Sequence, residues 1–420
     1  MQASPRQSRE HISRRRLGNA LLGALGGSDR GRLELHEALT RPSGSALVAA
    51  AERHGIIGHL REAARHSPFL HPQVAALLDE AYEQAVRTHL RALADLALLG
   101  GVLDDAGVPW AVVKGPVLAE TVYARFDLRG YRDLDVLVAP RAFSDALRAL
   151  EEAGSDLFER NWALLLGGMK GQVHLTLPHG SFCDLHWHLL HDRKLRDVYR
   201  LPSTALLRRA QPVVLGGVEA ASLDPPDAFV HLALHACLSG ADRLIWLKDL
   251  DEMVRRVPPA WDVVVTRARS AGAGLAVAGV LGLVGRVFRT PLPPGVVEAL
   301  DPDGVWRGIV GFAARLSPPQ RATGDGSTLR LVMRSTRPTL TSSLREAAAR
   351  SAAWCRHPRS SSLSARMASR LPARGDSALH PSGGAGTRAA YLDAVAAAED
   401  HPAPEQRGGR PAGPWASGVQ

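Results

Sequence analysis

Cysteine is scarce: the 420-residue chain has three, Cys183, Cys237 and Cys355. None has a paired spacing, so neither a disulfide framework nor a zinc motif is supported, and a reducing, cytoplasmic setting fits. Aromatic residues are few beside abundant Ala, Arg, Gly and Pro, a bias that points to GC-rich coding sequence more than to a function. No apolar run nears the ~20 residues that a membrane span needs. The run over residues 271–288 is broken by glycines and has Arg286 near its end, which suits close helix packing. Arg14-Arg15-Arg16 precedes a short apolar stretch, residues 17–25, that gives way to Ser28-Asp29-Arg30 without a cleavage site. It reads as a basic lead-in to a helix, not an export signal.

A net positive charge is nearly missing from the body of the chain. The net charge is +9, which invites a nucleic-acid partner. Residues 318–420, however, carry 14 Arg, no Lys and 7 Asp plus Glu, a net +7 of that total. The remainder is almost neutral, which argues against nucleic acid as the partner and leaves tail-borne DNA binding as the weakest reading.

The informative stretch is residues 110–138. Residues 110–113, Trp-Ala-Val-Val, make a short apolar run apt for a buried strand. Lys114-Gly115 breaks it, and Pro116 suits the first position of a helix, where its missing N–H costs nothing. The next apolar run, residues 134–138, is entered through Asp133 and Asp135 on either side of Leu134. Residues i and i+2 of a strand share a face, so both carboxylates project together while Leu134 and Val136 turn to the core. Side by side they repel unless a cation lies between them, which makes a Mg²⁺ site. An Asp-Leu-Asp alone is more often the end of a strand dipping into solvent than a metal site. A second alternating run, Phe182-Cys183-Asp184-Leu185-His186-Trp187-His188, supplies a third carboxylate. Strand, glycine turn, helix and acidic strand is an order suited to gripping a nucleoside triphosphate.

These residues resemble the DNA polymerase β-type nucleotidyltransferase superfamily, in particular its branch of bacterial nucleotidyltransferase family proteins. The resemblance rests on Lys114-Gly115, on Arg129 and Arg132 ahead of Asp133-Leu134-Asp135, and on Asp184-Leu185-His186-Trp187. Leu223-Asp224-Pro225-Pro226-Asp227, His231, His235 and the block 243–250 follow in the same spirit. It covers residues 74–300 or so. Better-known members have Gly-Ser where this chain has Gly115-Pro116, so a hydroxyl contact to phosphate is missing and Lys114 would stand in for it.

The resemblance implies two-metal nucleotidyl transfer with Mg²⁺, or Mn²⁺ in its place. Asp133 and Asp135 would hold both ions. Asp184 would complete the second site and help activate the acceptor hydroxyl. Gly115 and the helix after it would cradle the phosphates of a nucleoside triphosphate, with Lys114, Arg129 or Arg132, and Lys248 neutralising their charge. The acceptor is open: a small molecule or a protein side chain would serve. A non-catalytic nucleotide-binding or interaction protein that keeps the fold is the alternative.

The expected fold is α+β, a small mixed sheet flanked by helices with a helical C-terminal half. The expected boundaries are a flexible basic segment to residue 31, a helical region over 32–107, a catalytic core over 108–222, a helical domain over 223–317 and a largely disordered Arg-rich tail over 318–420. The strongest helical pattern starts at His71-Pro72 and runs through Val74, Leu78, Leu96 and Leu99. A hairpin is expected around Pro178-His179-Gly180 and another around Gly216-Gly217. A helix capped by Asp224 with Pro225 at its first position would run to Ser239. The histidines at 174, 179, 186, 188 and 191 match no zinc spacing, and His186 is read as a partner orienting Asp184. Helix-like pieces remain in the tail around 343–356 and 388–399.

Overall fold

His71 starts the longest element: its ring accepts the backbone N–H of Gln73, with Pro72 at the first helical position. The helix Pro72–Asp105 that follows spans 34 residues, about 50 Å at 1.5 Å per residue. It runs past Gly100-Gly101, and Gly100 is where it meets the sheet, since a Cβ there would lie 3.0 Å from the Trp110 ring. The structure, a computed structural model, describes residues 13–67, 69–321, 327–356 and 385–398.

This helix serves two cores. Val74 and Leu78 join a helical core, whereas Ala92, Leu96, Leu99 and Leu103 pack on the sheet. The sheet has five strands, β1 (Trp110–Val113), β2 (Asp133–Val138), β3 (Asp156–Leu157), β4 (Gln172–Thr176) and β5 (Phe182–His186), in the order β1-β2-β5-β4-β3. The β2–β5 pair is parallel and the other pairs are antiparallel, so the sheet is mixed and the fold is α+β. Alternation sets its faces: Leu134, Val136 and Val138, with Cys183, Leu185, Val173 and Leu175, are buried in one core. The acidic residues of β2 and β5 are left on the other face. A separate hairpin, β6 (Gln211–Leu215) and β7 (Val218–Ser222), turns at Gly216-Gly217, both at positive φ as a two-residue turn requires.

The C-terminal half is helical. Asp224 caps Pro225–Ser239 by accepting the N–H of Asp227 at 2.9 Å, and Gly240, at φ 94°, ends that helix. Leu244–Arg256 and Gly274–Phe288 pack on it, and Val305–Leu316 packs on Gly274–Phe288. Gly279 faces Val310 where these last two helices meet. Among the described residues no helix is long and apolar enough to cross a membrane.

Helices lie in both terminal segments, the tail ones near the pieces expected at 343–356 and 388–399. Arg14–Ala24, in the stretch expected to be flexible, is a helix, because Ala20 and Leu21 find a core to bury in. The tail contributes the helices Thr328–Arg334, Leu340–Arg356 and Ala385–Ala397. The last of these docks on the sheet core through fully buried Tyr391, whose hydroxyl donates to Lys170 O at 2.6 Å. Tail residues 357–384 and 399–420 lie outside the described residues.

Candidate active site

The parallel pairing of β2 and β5 places Asp135 directly opposite Asp184. Asp133, two residues earlier on β2, faces the same side and stands opposite Phe182. An atom from each of Asp135, Asp184 and His186 lies within 4.8 Å of the others, a spacing that can hold a metal ion. Asp133 is exposed at the mouth of this cluster. Its carboxyl is pushed up to about 6, first by desolvation among the surrounding protein and then by the charges of Asp135 and Asp184.

Lys114 comes to this cluster by register and by backbone conformation. Val113, the last residue of β1, pairs with Asp135. Lys114 then adopts φ 56° and ψ −140°, a region that glycine favours and that costs other residues roughly 1–3 kcal/mol. Its ammonium lies 3.0 Å from Asp135 Oδ1. His186 Nε2 lies 3.0 Å from the same oxygen. Burial would raise the Asp135 carboxyl, but the Lys114 charge and the His186 hydrogen bond hold it below the usual carboxylate range. With Nε2 donating to a carboxylate, His186 Nδ1 remains buried without a partner.

Asp184 is held from β4. Gln172 Nε2 donates to its Oδ2 at 2.7 Å, and His174 Nδ1 lies 2.6 Å from its Oδ1. Burial would lower the His174 pKa, but Asp184 raises it above the ordinary value. His186 was expected to orient Asp184 and instead meets Asp135. The residue that meets Asp184 is His174, its cross-strand partner. The sequence signal for this was present, because a hairpin turning at Pro178-His179-Gly180 sets 174 against 184.

Asp95 was not anticipated. This fully buried carboxylate of the long helix accepts the backbone N–H groups of His179 and Ser181, at 2.8 and 2.9 Å, and so fixes the turn from which β5 departs. In a helical pattern it reads as one more solvent-facing acid.

Gly115 is at φ 37°, and a Cβ there would lie 3.3 Å from the Asp133 carbonyl, so only glycine gives this close approach. The helix it opens, Gly115–Thr121, has seven residues. Pro116 has no N–H, and Val117 and Leu118 donate to Lys114 O. Few backbone donors are left for phosphate. Arg129 is buried in a bidentate pair with Asp249, at 3.2 and 2.9 Å, and Tyr123 donates to the same carboxylate. Lys248 is engaged by Asp251 and Glu252, both at 2.7 Å. Arg132 is exposed, one residue before Asp133. The structure thus gathers Asp133, Asp135, Asp184, Lys114 and Gly115 at one end of the sheet. Arg129 and Lys248 have carboxylate partners: Arg129 clamps the segment before β2 to the helical half through Asp249, and Lys248 pairs within its own helix, Leu244–Arg256.

The donor set suits a divalent ion. Hard cations prefer carboxylate oxygen, three carboxylates crowd one sheet face, and one ammonium is the only cation paired with them among the described residues. The imidazole of His186 in the set is better tolerated by Mn²⁺ than by Mg²⁺.

No curated protein matches the chain. Residues 42–289 match the model of a family described as uncharacterised nucleotidyltransferase, from beyond the first two helices, Arg14–Ala24 and Asp29–Leu39, to the end of Gly274–Phe288, and this span includes every residue of the acidic cluster and its clamp. The match covers more than half of the sequence, and the chain belongs to the uncharacterised nucleotidyltransferase family.

Proposed function

We propose that the chain uses a divalent metal to move a nucleoside monophosphate from a nucleoside triphosphate to a hydroxyl of a small molecule or a protein. One observation carries this reading: the β2–β5 register that sets Asp135 against Asp184, with Asp133 on the same face. Mg²⁺ or Mn²⁺ held by these carboxylates would supply charge neutralisation for the triphosphate and Lewis-acid polarisation at phosphorus. Asp135, kept ionised by Lys114 and His186, would be the constant ligand. Asp184, held in place by Gln172 and His174, would draw the proton from the acceptor hydroxyl. The hydroxyl oxygen bonds to the α-phosphorus, the bond to the bridging oxygen breaks, and pyrophosphate leaves. Lys114 would exchange Asp135 for phosphate oxygens as the triphosphate enters. The near-neutral body favours a small or protein acceptor over nucleic acid.

A second reading, a nucleotide-binding protein without catalysis, is favoured by Lys114, whose ammonium already neutralises Asp135. Each triphosphate, labelled at the α-phosphate, separates the two. Incubation with Mg²⁺ should yield pyrophosphate and a labelled acceptor, or labelled protein, and Asp135→Asn should not. Binding without release under any of these conditions favours the second reading.

A further inference from the structure

The helix Ala385–Ala397 lies outside the family match, which ends at residue 289, yet it packs on the sheet half of the matched region. It rests on Phe143–Glu152, on Trp162–Gly168 and on the turn at Pro140. Tyr391 and Val395 are fully buried there. The Tyr391 ring meets Phe143 edge-on at 6.3 Å, and Arg388 pairs with Glu151 and lies over the Trp162 ring at 5.1 Å. Apolar packing explains the ring of Tyr391 and leaves its hydroxyl to be explained. A phenol at that depth needs polar partners. It donates to Lys170 O at 2.6 Å and accepts the Trp187 indole N–H at 3.0 Å. The same indole N–H reaches Lys170 O at 2.8 Å, so the three groups close a triangle.

The triangle stands at the end of the β4–β5 ladder, where Gln172 pairs with His186. Lys170 lies two residues before Gln172, whose amide holds Asp184. Trp187 follows His186, whose ring meets Asp135. Between them the Gly171 carbonyl accepts the N–H groups of Trp187 and His188, at 3.0 and 3.1 Å. We infer that Tyr391 is a positioning residue of the metal site. Its hydroxyl fixes the chain at Lys170 and Trp187, and so the aim of Gln172 on Asp184 and of His186 on Asp135. This rests on the divalent-metal reading of the acidic cluster and adds to it a support from a helix beyond the family match. A group that orients the ligands of an ion tunes the affinity of the site without touching the ion. Members of a buried hydrogen-bond network act together, so the loss of one is felt by the others.

The test is Mn²⁺ titration of the full chain, followed by paramagnetic resonance, beside urea unfolding. Tyr391→Phe keeps the buried ring and loses the hydroxyl. It should weaken Mn²⁺ binding about fivefold, less than the roughly tenfold or more that direct partners of metal ligands carry. Arg388→Ala loosens the same helix at a partly exposed ion pair and leaves the triangle in place. Its Mn²⁺ affinity should stay within about twofold of wild type, whatever the change in urea midpoint. Wild-type affinity in Tyr391→Phe, or an equal loss in the two variants, overturns the inference while the metal reading stands, and the helix is then a packing element alone. A wild-type chain that binds no Mn²⁺ overturns both.

Discussion

Lys114 sets its ammonium 3.0 Å from Asp135 Oδ1, out of a backbone conformation that glycine favours. A strained residue persists only where its surroundings hold it, and here β1 pairing, Gly115 and the buried carboxylate do so together. The ammonium stands where a divalent ion would neutralise Asp135, so the two positive charges compete for one carboxylate.

Replacing the lysine therefore separates metal binding from nucleotide binding. Lys114→Ala should tighten Mn²⁺ binding by about tenfold, equivalent to ~1.4 kcal/mol of relieved competition. It should weaken triphosphate binding by a similar factor. Paramagnetic resonance reads the first and calorimetry the second. Weaker binding of both would mean that Lys114 supports the metal site instead of competing with it.

Asp95 holds the turn that leads into β5, at the end of the strand that lies opposite Asp133. Asp95→Ala leaves the N–H groups of His179 and Ser181 without their acceptor, at a cost of about 2–4 kcal/mol for two such groups. Urea unfolding should show that loss, and Asp95→Asn, which keeps one acceptor oxygen, should lose less. A stability loss under 1 kcal/mol in Asp95→Ala would mean that water replaces the carboxylate at the turn.

Buried histidines give the protein an acid limit. Burial, followed by the charges of Arg53, Arg196 and Lys114 respectively, lowers His54 to about 4 and His188 and His231 to about 3. Each folded value lies below the unfolded 6.5, so the unfolded chain takes up protons first. Their stabilisation is complete above that value and is lost as pH falls, by ~1.4 kcal/mol per pH unit for each histidine. Asp133, raised to about 6, and His174, raised above its ordinary value by Asp184, act in the opposite sense. The urea midpoint should fall steeply from pH 7 to 5, and His54→Gln, which can still accept from Leu244, should flatten that fall. A midpoint independent of pH over this range contradicts the burial of these rings.

What the sequence made legible was periodic or local. Asp133 and Asp135 follow from a spacing of two in a strand. Asp224 with Pro225, and His71 with Pro72, are helix starts whose chemistry lies within three residues. The contacts that set the site were not legible, because they join distant residues. Arg129 and Asp249 are 120 residues apart, and Asp95 and Ser181 86 apart. No pattern tells a buried helical aspartate from an exposed one. The partner of His186 depended on strand order: once β5 lies parallel to β2, its ring meets Asp135, and β4 brings His174 to Asp184. The Arg14–Ala24 helix was legible from Leu17, Ala20, Leu21 and Ala24 at helical spacing, whereas the core that they enter is made of distant residues.

The central claim is that the carboxylates of β2, with a divalent ion, bind the triphosphate. Calorimetric titration of each common nucleoside triphosphate into the wild-type chain and into Asp133→Asn/Asp135→Asn, with Mg²⁺ and then with chelator, tests it most directly. The account predicts binding by the wild type only when metal is present, and none by the variant, whose circular dichroism should match the wild type. Equal affinity in chelator, or in the folded variant, would contradict it.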